Sequence, residues 1–335
     1  MDLVINHTSV DSELLEKNPD WYEKNEDGTI KNPGALDGDN WIVWGDLAQI
    51  DNENSSDKAN LWKYWLDYIL HYAELGIRGF RCDAAYQVPS SLWEYLIKEV
   101  KKVYPDAVFL AETLSCAPDK IIDIIDSGFD IVMNSFKWWD FNAEWFLKDY
   151  NQWVEKGSSM TFPENHDTER FAAEYDNDSK KAVCYYAIEA YFCSSIAITI
   201  GFEYGFKKKI EVTKTSPSDY EEINYDIVEE IRMINEIKEK YDIFKEDNFI
   251  EIYNFNNSNI FSFLKTGRDK SEKIFIIANI NTKEGTDIKV PEMFSVFGTE
   301  NIKDISHGYR MDEISNNFDY YLQPGEVKLF YGKLD

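Results

Sequence analysis

At 335 residues the chain can bury one large core or two smaller ones, and 44% hydrophobic with 16% aromatic residues, among them 10 Trp and 21 Tyr, gives it the composition of a globular protein. Its 35 Lys and Arg against 62 Asp and Glu leave a net charge of −27, which excludes a broad basic footprint for nucleic acid or for an anionic membrane surface. No run approaches the roughly 18–20 apolar residues of a membrane span. Cys82, Cys116, Cys184 and Cys193 have no C-x-x-C spacing, and most lie in apolar runs, so they read as reduced, buried thiols of a cytoplasmic protein.

The chain opens directly on a strand-like run, Asp2-Leu3-Val4-Ile5-Asn6-His7, with no lead-in turn. A folded domain seldom begins inside a strand, so the domain is expected to start before Met1. Residues 8–54 are polar and turn-rich, with Asn25-Glu26-Asp27-Gly28, Asn32-Pro33-Gly34 and Leu36-Asp37-Gly38-Asp39. A connection of that length is usually functional. A helix from about Ser56 to Gly76 precedes a strand over Ile77 to Cys82. Ser91-Leu92-Trp93-Glu94 reads as a capping box opening a helix to about Val103, and Ala107 to Ala111 as the next strand. The alternation continues: a helix from Pro118, a strand Phe129 to Met133, a helix around 144–156, a strand Ser159 to Phe162, a helix 179–193, a strand Ile196 to Ile200 and a helix 218–240.

Continuous apolar strands alternating with helices indicate a parallel sheet covered on both faces. Polar motifs follow the strands, as at the carboxyl face of a TIM-type (β/α)8 barrel, so residues 1–241 read as an α/β barrel domain with six of its strands present and 8–54 as a long inserted loop or small inserted domain after the first of them. A doubly wound open sheet is the alternative. From about Asp242 the pattern changes to short strands with turns, the mark of a C-terminal antiparallel β-sandwich over 242–335.

In Gly79-Phe80-Arg81-Cys82-Asp83 the twofold strand period turns Arg81 and Asp83 to one face. A guanidinium beside an aspartate keeps it ionised, and an ionised aspartate can attack an electrophilic carbon; a buried structural ion pair is the plainer reading. Glu112 follows the apolar Val108-Phe109-Leu110-Ala111, where desolvation would hold it protonated as a proton donor. Asp167 leaves another strand end. Two carboxyls, a nucleophile and an acid, are what retaining cleavage of a glycosidic bond requires. His7 and His166 each follow an asparagine at a strand end, suited to hydrogen bonding sugar hydroxyls rather than to a clustered metal site; His71 and His307 read as structural. Trp138 and Trp139, like Trp21, Trp41 and Trp44, could stack on sugar rings or pack in the core.

Asp2-x-Val4-x-Asn6-His7, Gly79-x-Arg81-x-Asp83, Glu112 after its strand and Phe162-x-x-Asn165-His166-Asp167 resemble the four ordered signature segments of the alpha-amylase family of glycoside hydrolases, and Asp46-Leu47 resembles a fifth. The resemblance implies a retaining enzyme that cleaves alpha-glucosidic bonds in starch-, glycogen- or maltodextrin-type substrates through a covalent glycosyl-enzyme. It assigns Asp83 as nucleophile, Glu112 as acid/base and Asp167 as stabiliser of the transition state, with His7, Arg81, Asn165, His166, Tyr86 and Trp138 in the substrate-binding set. Asn6 and Asp46 match positions that hold structural calcium in many members; loop hydrogen bonds are the other reading. Tyr86-Gln87 stands where many members carry Lys-His. Asn25 to Gly28 and the helix from Leu92 to Tyr104 also resemble maltosyltransferases that use maltose 1-phosphate, from which Asn165-His166-Asp167 is expected to depart. The alternatives are thus a transglycosylase or maltosyltransferase, a trehalose- or sucrose-type enzyme, or an inactive carbohydrate-binding protein.

Overall fold

A computed structural model of the chain describes residues 1–37 and 40–334. The chain divides into two compact units, Met1–Met133 and Asn134–Asp335, so the change of pattern near residue 242 falls inside the second. The Gly38-Asp39 half of the turn singled out in the sequence lies outside the described residues.

In the first unit, β1 (Asp2–Leu3), β2 (His7–Ser9), α1 (Glu13–Lys17), β3 (Gly34–Asp37), β4 (Asn40–Val43) and β5 (Leu47–Gln49) are followed by α2 (Lys58–Glu74), β6 (Gly79–Cys82), α3 (Ser90–Val103), β7 (Val108–Ala111), α4 (Pro118–Asp126) and β8 (Ile131–Met133). Strands β1, β6, β7 and β8 are parallel neighbours in that order, as the continuous apolar runs predict. Helix α2 buries Leu61, Trp65, Ile69 and Ala73, a stripe at four-residue spacing, and Gly76 releases the chain toward β6 in a left-handed conformation at φ +100°. The strand period separates the faces of β6: Phe80 and Cys82 are buried, with Phe80 stacked on Phe109 at 5.3 Å, while Arg81 is only partly covered.

One expectation changes here. Helix α3 starts at Ser90 behind Pro89 and has no side-chain cap; the fixed φ of proline sets the entry, so the Ser91–Glu94 box is not used. Within residues 8–54, β2 pairs with β5 and β3 with β4 in antiparallel fashion, and Trp21 and Tyr22 are buried. Trp21 gives its indole N–H to Asp57 at 2.9 Å, which makes it structural. In the β3–β4 hairpin Gly34 faces the Trp41 ring and the Ile42 carbonyl so closely that a Cβ there would overlap both.

The second unit begins with α5 (Trp145–Trp153), β9 (Ser158–Thr161), α6 (Phe171–Glu174), α7 (Ser179–Phe192), the short β10 (Ser195–Ile196) parallel to β9, and α8 (Val228–Lys240). The strand expected to reach Ile200 stops early because Thr199 and Gly201 open a turn, with Gly201 at φ +94°. Likewise the expected helix over 218–240 covers only its last thirteen residues: Ser216, Pro217 and Asp219 build a separate capped turn, and the Asp226 carboxylate accepts the Val228 N–H at 3.1 Å where α8 begins.

The rest of this unit is antiparallel. β11 (Ile250–Ile252), β12 (Ile260–Thr266), β13 (Glu272–Asn279), β17 (Val327–Lys333) and β15 (Ile302–Asp304) form one sheet in that spatial order, and β14 (Thr286–Val290) pairs with β16 (Phe318–Leu322); α9 (Met293–Phe297) lies between β14 and β15 in sequence. Phe275, Ile277 and Phe330 from the larger sheet pack with Ile288, Val290, Phe318 and Leu322 from the smaller pair, the layered core of a sandwich. All four cysteines are unpaired, three of them buried. Among the described residues no helix is long and apolar enough to cross a membrane.

Candidate active site

The first unit gathers two of the expected carboxylates, Asp83 and Glu112, around one guanidinium. Because Asp2 lies opposite Arg81 in the β1–β6 register, Arg81 Nη1 reaches Asp2 Oδ1 at 2.9 Å and, along its own strand, Asp83 Oδ1 at 2.7 Å. Its other terminal nitrogen pairs with Glu112 Oε1 at 2.9 Å from the end of the neighbouring β7. All three side chains are largely covered, at 18%, 21% and 13% exposure for Arg81, Asp83 and Glu112. Two nitrogens of a single planar fork thus hold Asp83 and Glu112, which bounds the separation of those bonded oxygens at about 8 Å. Burial would lower the Arg81 pKa, but Glu112, Asp2 and Asp83 together outweigh it and raise it.

Glu112 does not sit in the apolar pocket that its sequence neighbours suggest. Its second oxygen takes the N–H of Ala84 at 2.8 Å, so the carboxyl is surrounded by a cation and an amide. Ala84, directly after Asp83, holds φ 42°, a left-handed conformation that costs a residue with a side chain about 1 kcal/mol or more and turns its N–H toward Glu112. Neither Asp2 nor Ala84 was among the sequence candidates. Asp2 could have been found by aligning the first strand with Gly79–Asp83, whereas a backbone donor leaves no trace in the sequence.

His7 stacks against Trp44 at 5.8 Å. Burial lowers its pKa, opposed by the nearby charges of Asp83 and Asp46, so the neutral ring is favoured. Its Nδ1 is buried and has no hydrogen-bond partner among the described residues. Tyr86 is half-buried, its phenol pKa raised mainly by burial and further by Cys116, Glu112 and Asp83. Gln87 ties the floor together: its carbonyl accepts from the Asn6 amide at 3.0 Å, and its amide donates to the Gly34 carbonyl at 3.1 Å.

That arrangement bears on calcium. Asn6 is buried and turns its amide nitrogen to Gln87, Asp46 is exposed, and among the described residues no three His, Cys, Asp or Glu side chains form a metal cluster. Asn6 and Asp46 would supply two side-chain oxygens of the roughly six to eight that calcium takes, and the chemistry below is derived without the ion.

In the second unit the turn after β9 carries Asn165, His166 and Asp167. The Asn165 carbonyl oxygen accepts the N–H groups of Asp167 and Thr168 at 2.9 and 3.0 Å, an Asx turn that fixes the backbone. The Asp167 carboxylate is 60% exposed and meets His166 Nε2 at 3.3 Å. The two adjacent tryptophans separate: Trp138 is exposed and edge-on to Phe162 at 6.0 Å, whereas Trp139 is buried among Phe141, Phe146 and Phe261 and belongs to the core. Asn134, at another strand end, is also structural, donating to Ser159 and Cys193.

Comparison with known proteins bears on the fold. A maltogenic alpha-amylase, AmyB, from Thermotoga neapolitana superposes with a TM-score of 0.74 at 21% identity, over 100% of this chain and 77% of that one. The alpha-amylase from H. orenii gives 0.75 at 15% identity, over 98% and 79%. Among curated sequences, an alpha-1,4-glucan:maltose-1-phosphate maltosyltransferase of Rhodospirillum rubrum is 34% identical over 139 residues, 40% of this chain and 19% of that protein. The enzyme of the same name from Cereibacter sphaeroides is 23% identical over 294 residues, 81% and 46% respectively. The chain spans less than half the length of these curated relatives. No protein-family model matches it.

Proposed function

We propose that this chain, which has the alpha-amylase fold, carries out retaining glycosyl chemistry on alpha-1,4-linked glucose chains. The observation that carries the reading is the Arg81 fork, which holds Asp83 and Glu112 together at the ends of adjacent parallel strands. We read the parallel strands as those of a (β/α)8 barrel and the antiparallel layers as its companion sandwich.

In the first step an oxygen of Asp83 attacks the anomeric carbon, the glycosidic C–O bond breaks, and the departing oxygen takes a proton from Glu112. In the second, an acceptor hydroxyl gives its proton to Glu112 and its oxygen to the anomeric carbon, releasing Asp83. Asp167 contributes negative charge and hydrogen bonding to the distorted sugar ring. The unpartnered Nδ1 of His7 is a free hydrogen-bonding atom for a sugar hydroxyl, and Trp138 offers an exposed ring face.

Water as acceptor gives hydrolysis, and a sugar hydroxyl gives transfer. Transfer is the second reading, favoured by the maltosyltransferases among the relatives. Incubation with maltohexaose, alone and with maltose 1-phosphate, separates them: shorter products with no lengthened chains mean hydrolysis, and lengthened chains mean transfer, by two glucose units with phosphate released where maltose 1-phosphate is the donor. No change in either mixture rejects both.

A further inference from the structure

Glu164 and Arg170 bracket the turn that carries Asn165, His166 and Asp167, and both are almost completely buried, at 1% and 3% exposure. Removing two charges from water costs several kcal/mol unless their lone pairs and protons are met. Here they are met from three segments. Arg170 Nε donates to Glu164 Oε1 at 2.7 Å and Thr199 Oγ1 donates to the same oxygen at 2.5 Å. The Phe171 N–H donates to Oε2 at 2.5 Å, so Glu164 caps the start of α6, and Arg170 Nη2 donates to the Ile200 carbonyl at 2.9 Å. The pair therefore joins the segment after β9 to the segment after β10. The stretch between its two members has no apolar residue: the Asn165 side chain holds the backbone, and the exposed carboxylate of Asp167 meets His166.

We propose that the Glu164–Arg170 pair is a positioning device for Asp167, a buried ionic staple that closes the turn at both ends and sets where its carboxylate is held. The proposal rests on the reading of Asp167 as part of the glycosyl-transfer site, but the location of the turn can be measured apart from turnover.

The test uses the full chain with Glu164→Gln, and with Thr199→Val as a milder variant that removes one bond to the same oxygen. Amide hydrogen exchange is followed at Asp167 and Thr168, whose N–H groups close the turn, and in the core of α7 as a reference. Expected is exchange faster by about tenfold at Asp167 and Thr168 with α7 unchanged. Turnover of maltohexaose should fall roughly ten- to hundredfold in kcat with KM within about twofold, the cost of a carboxylate moved by about an ångström. Acarbose binding should weaken while its stoichiometry stays constant, which loss of folded protein would not produce. Unchanged exchange at both amides, or an equal rise throughout α7, overturns the staple. A turn loosened in both variants of a wild-type protein that never turns over maltohexaose or transfers maltosyl groups sinks the glycosyl reading and leaves the staple standing.

Discussion

The two acidic loci are held by opposite means. At the ends of β6 and β7 the side chains themselves are fixed: one guanidinium grips Asp2, Asp83 and Glu112, and the carboxylates of Asp83 and Glu112 are largely covered. On the turn after β9 the backbone is fixed and the side chain left free, so that Asp167 hangs exposed from a peptide pinned by Asn165. A group that must form and break a bond to carbon benefits from a locked position and a set charge, whereas one that only touches the substrate needs a precise root and a mobile tip. The contrast therefore assigns different sensitivities to the two loci.

The largest expected effect tests the gripped side. Asp83→Asn keeps the shape and the Arg81 contact but removes the nucleophile, and turnover of maltohexaose should drop by about 10⁴-fold or more; activity within tenfold of wild type would take Asp83 out of the chemistry. Next comes the grip itself. Arg81→Lys retains the charge but cannot span carboxylates with two nitrogens, so kcat should fall on the order of 10²-fold, measured under saturating substrate. On the backbone-held side the analogous change is Asn165→Ala, which leaves two N–H groups without their acceptor. A loss of about tenfold in kcat is expected, smaller than that for Arg81→Lys; the reverse order would erase the distinction between the loci.

The smallest effect concerns what lies beneath the turn. Thr161, at the end of β9, donates to Glu189 at 3.5 Å. Burial pushes the Glu189 carboxyl up to about 8 from its ordinary 4.5, against smaller opposing contributions from Lys137 and Thr161. The folded chain therefore keeps this proton where the unfolded chain has lost it, so stability from this group is complete below pH 4.5 and declines as pH rises through about 8. Lys238, pushed down to about 7 mainly by burial, acts in the opposite sense above that pH, so the window to scan is pH 5 to 7. There Glu189→Gln should flatten the fall in unfolding free energy, by up to about 1.4 kcal/mol per pH unit. Denaturant titrations with parallel slopes for both proteins would rule this out.

How much of this was legible beforehand follows from how local each signal is. The twofold strand period placed Arg81 and Asp83 on one face without any coordinates, and the same alternation buried Phe80 and Cys82 as expected. Glu112 was found by position and misjudged in environment, because the donors that surround it come from β6 and from the amide of Ala84, partners remote in sequence. Trp138 and Trp139 look alike in a string of letters, and only the aromatic neighbours of the second unit decide which is core. The short strands of the C-terminal region are legible only as a pattern for the same reason: β15 and β16, three and five residues long, acquire their identity from the strands they pair with, β17 and β14. The staple residues Glu164 and Arg170 were unremarkable as letters, since charged residues six apart around a turn normally face solvent.

Gly34 shows how far a single absent methyl group extends. Its bare α-carbon lets the Trp41 ring and the Ile42 carbonyl close over it, while its own carbonyl is the acceptor for Gln87, which in turn receives the Asn6 amide beside His7. Any larger residue there would have to prise the hairpin open, and the displacement would arrive by two hydrogen bonds at Asn6, next to the histidine, although Gly34 lies forty-nine positions upstream of Asp83. Within this insertion the position of that glycine therefore admits no side chain without a shift in the hairpin.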